Sequence, residues 1–150
     1  MASTVTSATL TVQIQEDIEL NGTKRGSKII HTFDAIAQID ERIMSVPIYD
    51  VNVLLLSSSA GAGTYATSTF KYARLTNLDD ENFLTVTVLS GSSGSTCVQK
   101  LPPKTSMMLC SPALSGSSAG VAFDAFSNFT AVKASADSSS VDMSLFVATT

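Results

Sequence analysis

The sequence has few charged residues, one histidine, no tryptophan and only two cysteines in 150 residues. Charged residues make up 15% of the chain, whereas about 25% is usual for a soluble domain. Nine Lys and Arg residues against thirteen Asp and Glu residues give a net charge of −4. Because binding to nucleic acid requires several basic groups on one face, we predict that nucleic acid is not a partner.

Long hydrophobic runs are also missing. The longest candidate, residues 51–56 (VNVLLL), has the length of a strand and is far shorter than the roughly 18 residues that a membrane-spanning helix needs. The first residues, MASTVTSATLTVQ, lack a basic segment followed by an apolar one, so they do not resemble a secretory signal. We therefore expect a soluble protein that is made in a cytoplasm and does not bind a membrane.

A single histidine restricts acid–base chemistry. His31 is the only base available to a Ser-His-Asp or Cys-His arrangement, and its neighbours Ile30 and Thr32 place it in a strand with no nucleophile motif nearby. Carboxylate pairs carry no specific signal, because thirteen acids offer many of them. Candidates for such pairs are Asp34, Asp40, Glu41 and Asp124. We therefore predict that the protein is not an enzyme and that it has no catalytic residue and no small-molecule substrate.

The two cysteines, Cys97 and Cys110, are too few for a disulfide framework and lack the paired spacing of a zinc site. They form either one bridge or two small thiols, at least partly buried.

A polar block at Asp79-Asp80-Glu81-Asn82 separates two strand-forming runs in YARLTNLDDENFLTVTV, residues 72–88. An EF-hand loop needs alternating ligands, a central glycine and a distal glutamate, and the block has none of this layout. A calcium ion held with help from other loops is the alternative. Asp and Asn readily bond their own backbone in tight turns, so we predict a turn, and no metal or cofactor.

Alternation of apolar and polar residues is the dominant pattern of the chain. The stretch at 38–47 also suits a short helical face, but Pro47 favours a strand that ends there. Asn21-Gly22 is a strong turn signal between the first two strands. We predict hairpins between strands 70–76 and 83–89 and between strands 129–134 and 141–147. The ten predicted strands are 10–15, 28–33, 38–47, 51–56, 70–76, 83–89, 96–100, 105–109, 129–134 and 141–147.

These strands and the Gly/Ser/Pro loops between them predict an all-β fold, namely a single-domain β-sandwich or jelly roll of about 8–10 short antiparallel strands over residues 1–150. A chain of this length suits one domain with one core. We expect residues 1–8 to form an extended N-terminal arm.

Three segments of the chain resemble small virion structural proteins of tailed phages, notably those of cyanobacteria and marine bacteria. They are residues 72–83 with the pattern YxRLTNLDxxNF, residues 10–28 (LTVQIQEDIELNGTKRGSK) and residues 135–150 (SADSSSVDMSLFVATT). The loops SGSSGSTC and SPALSGSSAG have no counterpart in this resemblance.

The resemblance implies a capsid decoration (cement) protein on the virion surface, often a homotrimer, whose partner is the major capsid protein. Its interface would use edge strands, loops and the first residues. The candidate interface residues are Thr4, Val5, Thr6, Lys24, Arg25 and Lys28. Two alternatives stay open: a tail, neck or fibre-adaptor component of the virion, and a carbohydrate-binding jelly roll or adhesin. The last would need exposed aromatic residues, and the sequence has no tryptophan and three tyrosines.

Overall fold

A computed structural model describes residues 6–90, 96–110 and 129–150 of the chain. These residues form thirteen β-strands and no helix, so none of them forms a helix that could cross a membrane. In chain order the strands are β1 Ala8–Gln15, β2 Ile18–Leu20, β3 Thr23–Arg25, β4 Lys28–Ile36, β5 Gln38–Val46, β6 Val51–Ser57, β7 Thr64–Ala66, β8 Phe70–Asn77, β9 Leu84–Ser90, β10 Thr96–Leu101, β11 Ser106–Leu109, β12 Phe129–Ala136 and β13 Val141–Thr149.

Two sheets pack face to face as a β-sandwich. The larger sheet has the order β10-β9-β12-β6-β7 and the smaller one has the order β11-β8-β13-β5. All neighbouring strands in them are antiparallel except β6 and β7, which are parallel. The predicted all-β sandwich is confirmed.

The core lies between these two sheets and follows directly from the alternation in the sequence. On β13, Val141, Met143, Leu145 and Val147 point inward and are fully buried. They belong to one cluster with residues of the opposite sheet such as Leu54. Because successive side chains of a strand point to opposite faces, the residues between them lie on the outer face of the smaller sheet.

Four connections cross between the two sheets at the same end of the sandwich. They follow β5, β8, β10 and β12, and comprise residues 47–50, 78–83, 102–105 and 137–140. Pro47 ends β5 as predicted, and its carbonyl accepts a hydrogen bond of 2.8 Å from the Ala136 N–H. The described connections at this end of the sandwich are therefore all crossovers.

The two predicted hairpins are wrong in their pairing, although their strands exist. β8 lies in the smaller sheet and β9 in the larger one, and β12 and β13 are divided in the same way. A tight two-residue hairpin usually needs positive φ angles at the turn, as at Asn21 (φ 51°) and Gly22 (φ 75°). Among the described residues, the connections at 78–83 and 137–140 contain no positive φ. They carry the chain across the core instead of back along the same sheet.

Candidate functional site: a projecting hairpin arm

Residues 10–33 form one long β-hairpin, called the arm here, whose strands belong to neither sheet of the sandwich. Leu10 lies opposite Phe33, and the same register continues to Leu20 opposite Thr23. Asn21 and Gly22 form the two-residue turn at the end. At about 3.3 Å per residue, the strand from Leu10 to Asn21 is about 35 Å long. The hairpin and its turn were predicted from the sequence, but its position outside both sheets was not.

Gly26 allows the hairpin to continue through its one irregularity, between β1 and β2. A Cβ atom at Gly26 would lie 1.9 Å from the Glu16 carbonyl oxygen, so no other residue fits without a backbone shift. The Glu16 N–H donates to the Ser27 carbonyl at 2.9 Å, and the Ser27 hydroxyl donates to the Glu16 carboxylate at 2.8 Å. These bonds keep the register of β2 and β3 the same as that of β1 and β4.

The register gives the arm one apolar and one polar face. Side chains of paired residues share a face, so the two faces can be read from the register. The apolar face of the arm carries Leu10, Val12, Ile14, Ile18, Leu20, Ile29 and Phe33, and its polar members are Glu16, Thr23, Arg25, Ser27 and His31. The polar face carries Thr11, Gln13, Gln15, Glu19, Lys24, Lys28 and Thr32, with Ile30 as its one large apolar residue.

Among the residues that the structure describes, the arm packs against the sandwich at its base. Leu10, Val12 and Phe33 pack against a small cluster around Tyr72 on the outer face of the smaller sheet. The Phe33 and Tyr72 ring centroids are 5.6 Å apart, and Tyr72 meets the Phe146 ring edge-on at 6.0 Å. This aromatic contact holds the arm at the end of the sandwich opposite the crossovers.

Beyond its base the arm exposes large apolar side chains. Ile18 and Leu20 are each 58% exposed, and Ile29 is 47% exposed. A two-stranded hairpin without further packing is marginally stable in water, and a contiguous exposed apolar surface commonly marks a contact site. We therefore take the outer part of the arm as the candidate functional site.

Three of the six predicted interface residues lie on this arm. Lys24 and Arg25 lie on β3 and Lys28 begins β4, and all three are exposed. Thr6 is exposed before β1, whereas Thr4 and Val5 lie outside the described residues. The basic residues were found from their spacing, but their apolar neighbours Ile18, Leu20 and Ile29 were missed. The sequence shows an amphipathic hairpin and does not show that the sandwich leaves its apolar face uncovered.

A second exposed apolar surface lies on β5, the edge strand of the smaller sheet. Ile39 and Ile43 are 67% and 69% exposed on its outer face, and Glu41 lies between them. We call these three residues the edge row. Among the described residues β5 pairs only with β13, so its other edge is free.

The inner side chains of β5 close the same edge of the sandwich. The Tyr65 hydroxyl of β7 donates to the Asp40 carboxylate, and Arg42 Nη2 donates to the Val53 carbonyl at 3.2 Å. Burial, followed by the bond to Asp40, raises the pKa of Tyr65 to about 12. Asp40 and Arg42 thus stabilise the contact between the sheets.

The polar block at 79–82 is a tight bend in which Asp79 bonds its own backbone, as predicted, but it crosses between the sheets and does not close a hairpin. Asp79 Oδ1 accepts hydrogen bonds from the backbone N–H groups of Asn82 at 2.7 Å and Glu81 at 2.8 Å. These two bonds hold the pKa of the Asp79 carboxyl below its ordinary value. Lys104 contacts Asp80 and the Leu78 carbonyl from the next crossover.

Across the part of the chain that the structure describes, no three His, Cys, Asp or Glu side chains form a group that could hold a metal ion.

Replacing Asp79 with asparagine is expected to lower stability at pH 7, because the amide keeps an acceptor oxygen but loses the charge. The lowered pKa of Asp79 means that its contribution is present above the ordinary value of 3.8 and disappears as the pH falls through the folded-state value. Urea midpoints of D79N and the unsubstituted protein should therefore differ at pH 7 and converge towards pH 2. The exposed Asp50→Asn variant, at the same end, is the control; an equal difference at both pH values for D79N would contradict this role of the charge.

The other candidate residues for chemistry lie apart from one another. His31 is exposed on the arm opposite Val12, and Asp34 accepts a 2.9 Å hydrogen bond from the Thr9 hydroxyl at the base of the arm. Asp40 and Glu41 point to opposite faces of β5, and Asp124 lies outside the described residues. Cys97 and Cys110 are free thiols. Cys110 is half-buried, as predicted, whereas Cys97 is exposed, so the prediction of a partly buried thiol is wrong there.

Comparison of the chain with family models, with curated proteins and with solved structures gave no match. Function is therefore inferred from the arm and the sandwich themselves.

Proposed function

We propose that the chain is a structural protein of a phage virion, and specifically a capsid decoration (cement) protein. It would bind the outside of the shell and clamp neighbouring capsid subunits. The observation that carries this proposal is the arm, about 35 Å long. Among the described residues it packs against its own sandwich at its base, and its outer part exposes large apolar side chains.

The arrangement suits a protein that acts by burying surface. A folded body supplies rigidity, and an apolar hairpin supplies contact area at a distance from it. A standard specific interface buries about 1,600 Å² in total, which an arm and part of a sheet can provide. Contacts repeated over many symmetric copies add up through effective concentration, so each contact can be modest.

The surface of the sandwich is consistent with the same role. On the outer face of the larger sheet, Thr87 pairs with Lys133 and Thr85 pairs with Ser135. A weakly charged, hydroxyl-rich surface repels neighbouring copies weakly, which suits a protein packed densely on a shell.

The resemblance of residues 10–28, 72–83 and 135–150 to phage virion proteins supports the same assignment. A homotrimer bound to the major capsid protein is the assembly that this resemblance implies.

Cosedimentation with expanded, empty capsids tests the proposal. The capsids are assembled from the co-expressed major capsid protein of the same phage, and increasing amounts of the purified chain are added. We expect saturable binding at a fixed ratio to the major capsid protein. Absence of binding, together with a ring- or rod-sized oligomer in solution, would overturn the capsid assignment and favour the tail or neck alternative.

A further inference from the structure

Two exposed surfaces of the chain match each other in chemistry. The tip of the arm carries Ile18, Leu20 and Arg25 on its apolar face, with Ile18 directly opposite Arg25. The edge row carries two isoleucines and Glu41. Each surface thus combines two large aliphatic side chains with one charge, and the two charges are opposite. Neither Arg25 nor Glu41 forms an ion pair with any other described residue.

A single chain does not bring these surfaces together. The arm is fixed at its base, and its tip residues remain 58% exposed. Ile39 and Ile43 are exposed even more. Any partner of either surface therefore has to come from another molecule.

The edge row also continues an interface that already exists within the chain. In the smaller sheet Ile39 pairs with Ala148, and Glu41 pairs with Phe146. Ala148 and Phe146 belong to the cluster on which the base of the chain's own arm packs. If the arm of a second copy lay on the edge row, the covered outer surface of the smaller sheet would extend from β13 to its neighbour β5.

We propose that the arm tip of one copy docks on the edge row of a second copy, with Arg25 facing Glu41 of the neighbour. Each copy then gives one arm and receives one arm, which makes a two-fold dimer when the exchange is reciprocal and a larger closed ring when the contacts run head to tail. This inference deepens the proposed function, on which it rests for the role of the oligomer in the virion.

Direct pairing of two β5 edges is the less favourable way to cover the same strand. Consecutive charges at Asp40, Glu41 and Arg42 protect an edge against strand addition. Asp40 and Arg42 are also held by Tyr65 and Val53 within the sandwich. Arm docking uses the outer face of β5 and leaves these bonds intact.

Charge reversal at the two positions tests the proposal. The mass of the full chain is measured by light scattering and sedimentation over a concentration series. We expect an oligomer for the unsubstituted protein, and a dissociation constant raised by about tenfold or more in Arg25→Glu and in Glu41→Arg, because like charges then face each other. The double variant R25E/E41R should return to within about threefold of the unsubstituted protein, because the charges are again opposite.

Lys24→Glu is the matched control, since it makes the same charge change at the neighbouring position on the polar face of the arm. It should leave the dissociation constant unchanged, and circular dichroism should show that all variants are folded. An oligomer that neither single reversal weakens, or that the double reversal fails to restore, would overturn the proposed contact. A chain that is monomeric at every concentration but still binds shells would overturn this inference and leave the proposed function standing.

Discussion

Replacing Leu145 with alanine is expected to lower the free energy of unfolding by about 2–5 kcal/mol. Leu145 is fully buried in the middle of β13, between Leu75 of β8 and Arg42 of β5. Its side chain packs in the cluster that joins the two sheets, so truncation removes contacts and leaves a cavity that strands on both sides prevent from collapsing. The effect is measured as the change in the free energy of unfolding obtained from urea denaturation curves.

Ile48→Ala is the matched control, because isoleucine and leucine have the same volume and Ile48 is 61% exposed beyond the end of β5. Its effect should stay within about 0.5 kcal/mol. Similar losses in the two variants would contradict the position of the core between β13 and the opposite sheet.

Replacing Asn77 with alanine is expected to lower the free energy of unfolding by about 2–3 kcal/mol. Asn77 is completely buried at the end of β8. Its amide group donates to the carbonyls of Asn82 at 2.9 Å and Leu101 at 3.2 Å, and its Oδ1 accepts from the Asp79 N–H at 3.0 Å. The Asn77→Ala variant would leave the carbonyls of Asn82 and Leu101 and the Asp79 N–H without their side-chain partner. These three groups lie where two crossovers meet.

Asn82→Ala is the control with the same chemical change. The Asn82 side chain is half-buried and bonds the hydroxyls of Ser138 and Ser139, which are exposed to water. Water can replace these partners, so the loss should stay below about 1 kcal/mol. If Asn82→Ala lowered the free energy of unfolding as much as Asn77→Ala, the crossovers would not depend on the buried amide.

The strands were predictable because each carries its own signal. Residues 51–56 are apolar except for the exposed Asn52, and the strand Val51–Ser57 lies between β12 and β7 as such a run predicts. At Gln38–Val46, Pro47 marks the end and the two-residue alternation decides between strand and helix. These signals are local, so one sequence is enough to find them.

Strand pairing was less predictable because the decisive contacts are distant. The polar stretches at 79–82 and 137–140 look like hairpin turns, but their side chains bond to each other across the end of the sandwich through Asn82, Ser138 and Ser139. No local pattern distinguishes a return within a sheet from a crossing between sheets. Positive φ at Asn21-Gly22 is the contrasting case, and there the hairpin prediction is correct.

The candidate site was only partly predictable for a related reason. A basic cluster is visible in any sequence, so Lys24, Arg25 and Lys28 were identified. The exposed isoleucines on the arm and on β5 look like ordinary core residues of amphipathic strands. Their exposure depends on which faces the rest of the fold leaves open, and that is fixed by the packing of the whole chain.

Shell binding by an arm-tip variant, measured beside the intact protein in the cosedimentation assay, tests the central claim most directly. Ile18→Ser with Leu20→Ser removes the apolar contact from an exposed site and should leave the sandwich folded, and Ile30→Ser, on the polar face of the same arm, is the control. We expect the intact protein and I30S to bind shells at the same fixed ratio. The arm-tip variant should bind about tenfold or more weakly, because copies that no longer hold one another lose the gain from multiple contacts. An arm-tip variant that binds shells as tightly as the intact protein would contradict the assignment of the arm as the surface of assembly.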